Sequence, residues 1–212
     1  IAVQLEQLLE TEHAASDDLR DDAAGRTALM YGLDAKLPVW RPERQLLVSR
    51  GKDDTLLALP QAVVRLRALA DTQKDERQRS WFHRSADLVD RIRAELGRLR
   101  EEASRVRSDK GRGHASSAEQ FRLAEQYGFV HVAAASVHLA VESSDVLNGG
   151  YPDGAVLLMS LERIWHLFRP TETVTDTEVV DRVMEVLGGL HADQRLFSHW
   201  PIRVQASSGE GL

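Results

Sequence analysis

The stretch Ser116 to Ser143, SSAEQFRLAEQYGFVHVAAASVHLAVES, narrows the possible folds more than any other part of the chain. Leu123, Tyr127, Val130, Ala134, Val137 and Val141 recur at steps of three and four, which draws one apolar stripe along a helix. Phe129, Val132, Ala133, Ala135 and Leu139 make the opposite side nearly as apolar. A helix apolar almost all round belongs at the centre of a bundle, with other helices on several faces. Ser116 with Glu119 forms a capping box at its start. Because this element needs helical neighbours, the rest of the chain is read for them.

The 212 residues are enough to bury roughly 70% of the surface an unfolded chain exposes, so no metal or disulfide staple is required. The chain has no cysteine. That removes disulfides, thiolate metal sites and cysteine nucleophiles together, and it agrees with a reducing, cytoplasmic setting. Acids and bases are interspersed around a net charge of −6, so no basic face recommends nucleic acid. The longest apolar run, Phe129 to Val141, falls well short of the ~20 residues of a membrane span. Residues at its start do not read as a signal peptide, and none is expected there. Ile1 to Leu9 reads as the middle of a helix, and the expectation is that its natural start lies further upstream.

In chain order, Thr11 to Gly25 is acidic with little periodic hydrophobicity and reads as a solvated linker. Leu37 to Val48, LPVWRPERQLLV, holds two prolines that forbid a long helix; it reads as a strap pinned by Trp40 and Leu47. Asp53 or Asp54 caps a helix running to Ala70, kinked at Pro60 or starting near it. From Asp75 to Ser108 the positions Phe82, Ser85, Val89, Ile92, Leu96, Leu99, Ala103 and Val106 form a narrow seam among charges, about 50 Å long at 1.5 Å per residue. The turn SDKGRGHASS makes this helix the antiparallel neighbour of Ser116–Ser143, in preference to a coiled coil with a second chain.

Asn148-Gly149-Gly150 ends the central helix. Asp153 caps another helix, with Leu157, Leu161, Ile164 and Phe168 inward and Pro170 as its stop. Thr175 and Glu178 open a last long helix, with Val179, Val183, Val186 and Leu187 inward and Gly188-Gly189 as its end. A short helical turn carries Leu196 and Phe197.

Recognisable chemistry is scarce. His131 and His138 share a face of the central helix but lack the Glu-x-x-His or His-x-x-x-His partners of a metal site, so they read as hydrogen-bonded core histidines. Neither G-x-G-x-x-G nor G-x-x-x-x-G-K-[ST] occurs, and Gly111-Arg112-Gly113 has no preceding strand. Ser136 and Ser143 have no positioned base. The Arg-rich turn Arg105 to Arg112 reads as a solvated helix end rather than a phosphate site. Trp40, Trp81, Trp165 and Trp200 are candidates to stack on a flavin or adenine ring, but packing explains them, with Trp165 and Phe168 in the core.

Three segments carry a family resemblance: LPVWRPERQLLVSRGKDDTLLALPQAV (Leu37 to Val63), AEQYGFVHVAAASVHL (Ala124 to Leu139) and GLHADQRLFSHWPI (Gly189 to Ile202). In this order they resemble the C-terminal part of actinobacterial acyl-CoA dehydrogenase family proteins. The resemblance implies an FAD-dependent enzyme in which a glutamate removes a proton from an acyl thioester and the flavin N5 accepts a hydride. It also implies that the catalytic carboxylate and flavin domains precede Ile1. Glu10 and Glu12 lack the surrounding motif, so no catalytic or flavin-binding residue is carried over, and no metal site is expected. FAD would belong to the intact enzyme and not to this stretch alone.

The expectation is therefore an all-α bundle of about six helices around the alanine-rich one. Residues 1–10 would be the tail of a preceding bundle helix, 11–52 linker and strap, 53–205 the bundle and 206–212 a frayed tail. By the resemblance the chain is a structural or oligomer-forming region of an acyl-CoA dehydrogenase-like flavoprotein, partnered by further copies or by the rest of that protein, without nucleic acid or membrane. The alternative is a non-catalytic helical interaction module that uses the seam Phe82–Val106.

Overall fold

A computed structural model describes residues 4–33, 51–143, 153–172 and 177–192. Among these the chain is all-α. Its helices are α1 (Leu5–His13), α2 (Asp17–Tyr31), α3 (Asp54–Leu57), α4 (Leu59–Thr72), α5 (Glu76–Lys110), α6 (Ala118–Glu142), α7 (Ala155–Phe168) and α8 (Thr177–Ala192), with a 3₁₀ turn at Gly111–Ser116 between α5 and α6. The strap Leu37–Val48, the Asn148-Gly149-Gly150 stop, Thr175, the Leu196–Phe197 turn and the tail lie outside the described residues.

The long seam becomes the spine. Asp75 caps α5 by accepting from the Arg77 and Gln78 N–H groups at 2.8 and 3.4 Å. Phe82, Ser85, Val89, Ile92, Leu96, Leu99, Ala103 and Val106 are all buried. All but Ser85 join one hydrophobic core with residues of α1, α3, α4, α6, α7 and α8. Gly111 ends α5 at φ 53°, where a side chain would be strained. The turn then returns the chain so that α6 packs antiparallel against α5. The hairpin reading holds, and the seam is consumed inside the chain; it is not a surface for a partner.

α6 departs from its expected form in two ways. Its cap is Ser117, whose Oγ accepts from Gln120 N–H at 3.1 Å, while Ser116 instead donates to the Gly113 carbonyl. Val130, Ala134 and Val137 are fully buried, but Phe121 and Val132 are 59% and 53% exposed. One side of the helix therefore faces out, and α5 shares the central place.

Residues read as a linker are helical. Ser16 caps α2 through Leu19 N–H, and Asp17 and Asp18 sit at the positive end of its dipole. The buried face of α2 is made of small side chains, Ala23 and Thr27, which produce no large-hydrophobe rhythm. Arg20 fastens it, donating to the Leu57 carbonyl at 3.2 Å and the Glu12 carbonyl at 2.9 Å. Leu5, Leu8 and Leu9 of α1 belong to the same core as α5 and α6.

Asp53 does cap α3, and the helix breaks at Ala58 so that Pro60 falls in the first turn of α4, where its missing N–H costs nothing. Asp153 accepts from Ala155 N–H at 3.0 Å beside Gly154. At φ 82° Gly154 lies where an added Cβ would meet the Phe82 ring at 3.2 Å, so only glycine lets α7 start against α5. In α8, Val179 and Val183 are buried, but Leu187 is 38% exposed. The helix also runs through Gly188-Gly189 to Ala192. Glycine disfavours a helix without stopping it, and neither residue takes the left-handed conformation of a terminator.

Candidate functional site

Where α2, α3 and α6 meet, residues distant in sequence converge on the N-cap of α3. Asp53 Oδ1 accepts from Leu56 N–H at 3.3 Å. Its Oδ2 accepts from Tyr127 OH and from His131 Nδ1, each at 2.8 Å. Tyr127 and His131 lie one helical turn apart on α6, so one carboxylate on a short helix meets both.

A second layer continues the network. His138 Nε2 donates to the Thr55 carbonyl at 2.9 Å, and its ring stacks on Tyr31 with centroids 5.3 Å apart. Tyr31 OH and Thr55 Oγ1 are 3.1 Å apart. Ser143 Oγ donates to the Tyr31 carbonyl at 2.6 Å and accepts from Leu33 N–H at 3.0 Å.

The electrostatics follow from these contacts. Burial alone would raise the Asp53 carboxyl. The His131 hydrogen bond and charge, with the Tyr127 hydroxyl and Leu56 N–H, more than offset that and hold it below the ordinary carboxylate range. The hydrogen bond to Asp53 raises His131 against the opposing effect of burial. Burial and the Asp53 charge push Tyr127 far up, so it stays a neutral donor. His138 is lowered, chiefly by burial. With its Nε2 proton given to Thr55, its Nδ1 is a buried acceptor with no hydrogen bond among the described residues.

His131 is oriented by Asp53 through Nδ1, which turns Nε2 away from the carboxylate on a side chain 42% exposed. Such a couple can take up a proton at Nε2, with the resulting imidazolium stabilised by Asp53. No nucleophile is hydrogen-bonded to His131 among the described residues. The couple as it stands fastens α3 to α6.

The other sequence candidates fall elsewhere. His131 and His138 bond to different groups, and no cluster of three or more metal-ligating side chains occurs among the described residues. Glu12 stands 3.5 Å from Arg20 and 3.8 Å from Arg93, and Glu10 3.9 Å from Arg100. In the Arg-rich turn, Arg107 pairs with Glu6 at 2.6 Å and Lys110 with Glu119 at 2.7 Å. The Trp165 ring is engaged by the Arg91 and Arg169 guanidiniums, 4.3 and 5.5 Å from it, and its Nε1 donates to Glu172 at 2.8 Å. Trp81 is buried; Trp40 and Trp200 lie outside the described residues.

Among the described residues, two depressions bear on this question. A groove of about 350 Å³ between α1 and α5 sets Glu6 and Glu10 beside Arg100 and Arg107. A cleft of about 520 Å³ between the start of α5 and α8 sets Asp75, Glu178, Asp181 and Glu185 against Arg77 and Arg182. Neither suits a flavin: carboxylates line both where a diphosphate needs N–H groups and unopposed positive charge.

The chain matches no family model, and no curated protein or solved structure matches it significantly. No helix among the described residues is long and apolar enough to cross a membrane.

The sequence offers Asp53 or Asp54 as a cap and His131 and His138 as core histidines; Asp53 is the cap and His138 is buried, but the His131 side chain is 42% exposed. The sequence does not join them, because Asp53 and His131 are 78 positions apart and no local spacing links a loop carboxylate to a helix it has not yet met.

Proposed function

We propose that the chain is a structural helical module, the C-terminal region of an acyl-CoA dehydrogenase-like flavoprotein, whose cofactor and base are supplied by other parts of the protein. The supporting observation is the use made of Asp53. One carboxylate caps α3 and holds Tyr127 and His131 of α6, so this polar group serves to lock helices together. The sequence resemblance adds the family. Assembly, with further copies or with the remainder of the flavoprotein, is the role this leaves to the chain.

The test is spectroscopic. The product of the complete coding sequence is expected to carry flavin absorbance and to bleach on addition of an acyl thioester, while residues 1–212 alone stay colourless. A complete product that binds no flavin would refute the flavoprotein assignment. The alternative of an interaction module working through Phe82–Val106 is set aside, because those residues are buried in the chain's own core.

A further inference from the structure

His138 lies 1% exposed in the corner of α2, α3 and α6, with one of its two ring nitrogens used. Nε2 donates to the Thr55 carbonyl of α3 at 2.9 Å, and Nδ1 is buried without a hydrogen bond among the described residues. Tyr31, at the end of α2, stacks over the ring at 5.3 Å and 14° from parallel. The charged groups that act on it are Glu142 on its own helix, Arg65 on α4 and Asp53 ahead of α3. Arg65 and Glu142 are bound to each other at 3.0 Å, and Asp53 is committed to Tyr127 and His131. A proton on Nδ1 would make a buried cation whose new N–H has no acceptor, and the closed corner disfavours that form.

The helix that covers this ring is held lightly. α2 packs on α3, α4 and α6, but its apolar contact is Ala23 with Leu57 and Ala58, a small cluster separate from the main core. Its other ties are polar: Arg20 to the Leu57 carbonyl, Arg26 to Asp54 at 2.6 Å, Tyr31 to Thr55, and Ser143 to the Tyr31 carbonyl. Exposed pairs such as Arg26–Asp54 contribute little. A 15-residue helix freed from its neighbours is marginal in water. α2 therefore detaches and melts at a lower cost than the core it leaves behind.

We propose that α2 is a proton-gated cover over His138: acidification favours its release from the bundle, with the proton taken at Nδ1 as water reaches the ring, while α3 to α7 stay in place. The outer pair keeps the release local. His131 gains its proton while bound to Asp53, so the tie between α3 and α6 tightens over the range in which α2 loosens. The device goes beyond the flavoprotein reading and does not rest on it.

Amide hydrogen exchange on the full chain reads the release. A protection factor, the ratio of the chemical exchange rate to the observed one at the same pH, reports the opening equilibrium. An open His138 titrates at its ordinary 6.5, whereas the closed one stays neutral, and this multiplies the opening equilibrium about tenfold between about pH 7.5 and 5.5. Protection of α2 is expected to fall by that factor while α5 keeps its own. His138→Gln, which keeps a side-chain donor for the Thr55 carbonyl and does not titrate in this range, flattens the α2 profile. Ser143→Ala drops the hydrogen bonds to Leu33 and Tyr31 at the end of α2 and leaves His138 in place. It lowers α2 protection about tenfold at both pH values and keeps the slope.

A flat α2 profile in the unmodified chain, an equal fall in α2 and α5, or a fall that His138→Gln leaves unchanged overturns the proposal. So does Ser143→Ala without effect on α2. Where His138→Gln does not fold, imidazole nitrogen-15 shifts of the unmodified chain decide the same point. A neutral His138 with its proton on Nε2 is expected in the closed chain at about pH 5.5, and a protonated ring there overturns the proposal.

Discussion

Along α5, the seam from Phe82 to Val106 meets its neighbours through apolar side chains and one serine, whose hydroxyl donates to the Trp81 carbonyl at 2.8 Å. At the corner where α2, α3 and α6 join, the contact is a chain of hydrogen bonds from Leu33 and Ser143 through Tyr31, Thr55 and His138, with Asp53, Tyr127 and His131 beside it. The seam is non-directional: any side chain of the right volume contributes through the area it removes from water. In the corner the paired groups are satisfied only by particular partners at particular distances, and loss of one leaves another exposed to a desolvation cost. The seam therefore supplies stability, and the corner fixes which end of α6 lies against α3.

The harshest way to break this comparison is to give the seam the chemistry of the corner. Ile92 is fully buried at the middle of α5. Ile92→Asp places an unpaired carboxylate there and is expected to cost about 4 kcal/mol or more, enough to unfold a domain of ordinary stability. Circular dichroism and urea denaturation check it. A variant that stays folded with an unchanged midpoint would show that the seam opens to water.

The two regions also differ in how far they could be read in advance. The seam was legible because a helix repeats its inward positions every three or four residues, so the pattern sits within α5 itself. α7 was legible for the same reason. α2 was not, because Ala23 and Thr27 form its inner face and acids dominate the rest; its helix depends on the Ser16 cap and on Arg20 reaching Leu57 and Glu12. The corner was half legible. Asp53 had the spacing of a cap, but its second oxygen is used by α6, and that use depends on the hairpin having already brought α6 back. The outward turn of Leu187, against the inward role its apolar character suggested, has the same origin: periodicity gives the width of an arc, not how many neighbours come to cover it.

A milder test is to take one oxygen pair away from the corner. Asp53→Ala removes the α3 cap and strips Tyr127 and His131 of their acceptor, and is expected to destabilise by about 2–3 kcal/mol, a cap plus a buried hydrogen bond or more. Asp53→Asn keeps one acceptor oxygen for the cap or for a side chain and is expected to recover about half of that loss. Equal loss in the two variants would mean that charge alone matters; no loss in either would remove the corner from the fold's energetics. The seam is expected to be indifferent to this choice, so hydrogen exchange should rise near α3 and the adjoining part of α6 while α5 stays protected.

The smallest effect separates the two histidines by pH. His131 is raised above its ordinary value of 6.5 by the bond to Asp53. A raised group binds its proton more tightly in the folded chain, so its stabilising contribution is full below the unfolded pKa and is lost as pH rises through the higher folded one. His138 is lowered from 6.5, mainly by burial. Below 6.5 the unfolded chain gains a proton that the folded chain refuses, so its neutral form favours folding above that pH and ceases to do so on acidification. The urea midpoint difference between the unmodified chain and His131→Asn should therefore be greatest near pH 6 and shrink towards about pH 8.5, whereas the corresponding difference for His138→Asn should grow over the same range. Matching slopes in the two series would show that the half-exposed and the buried imidazole are not held in opposite charge states, and the corner would then lose the feature that sets its outer layer apart from its inner one.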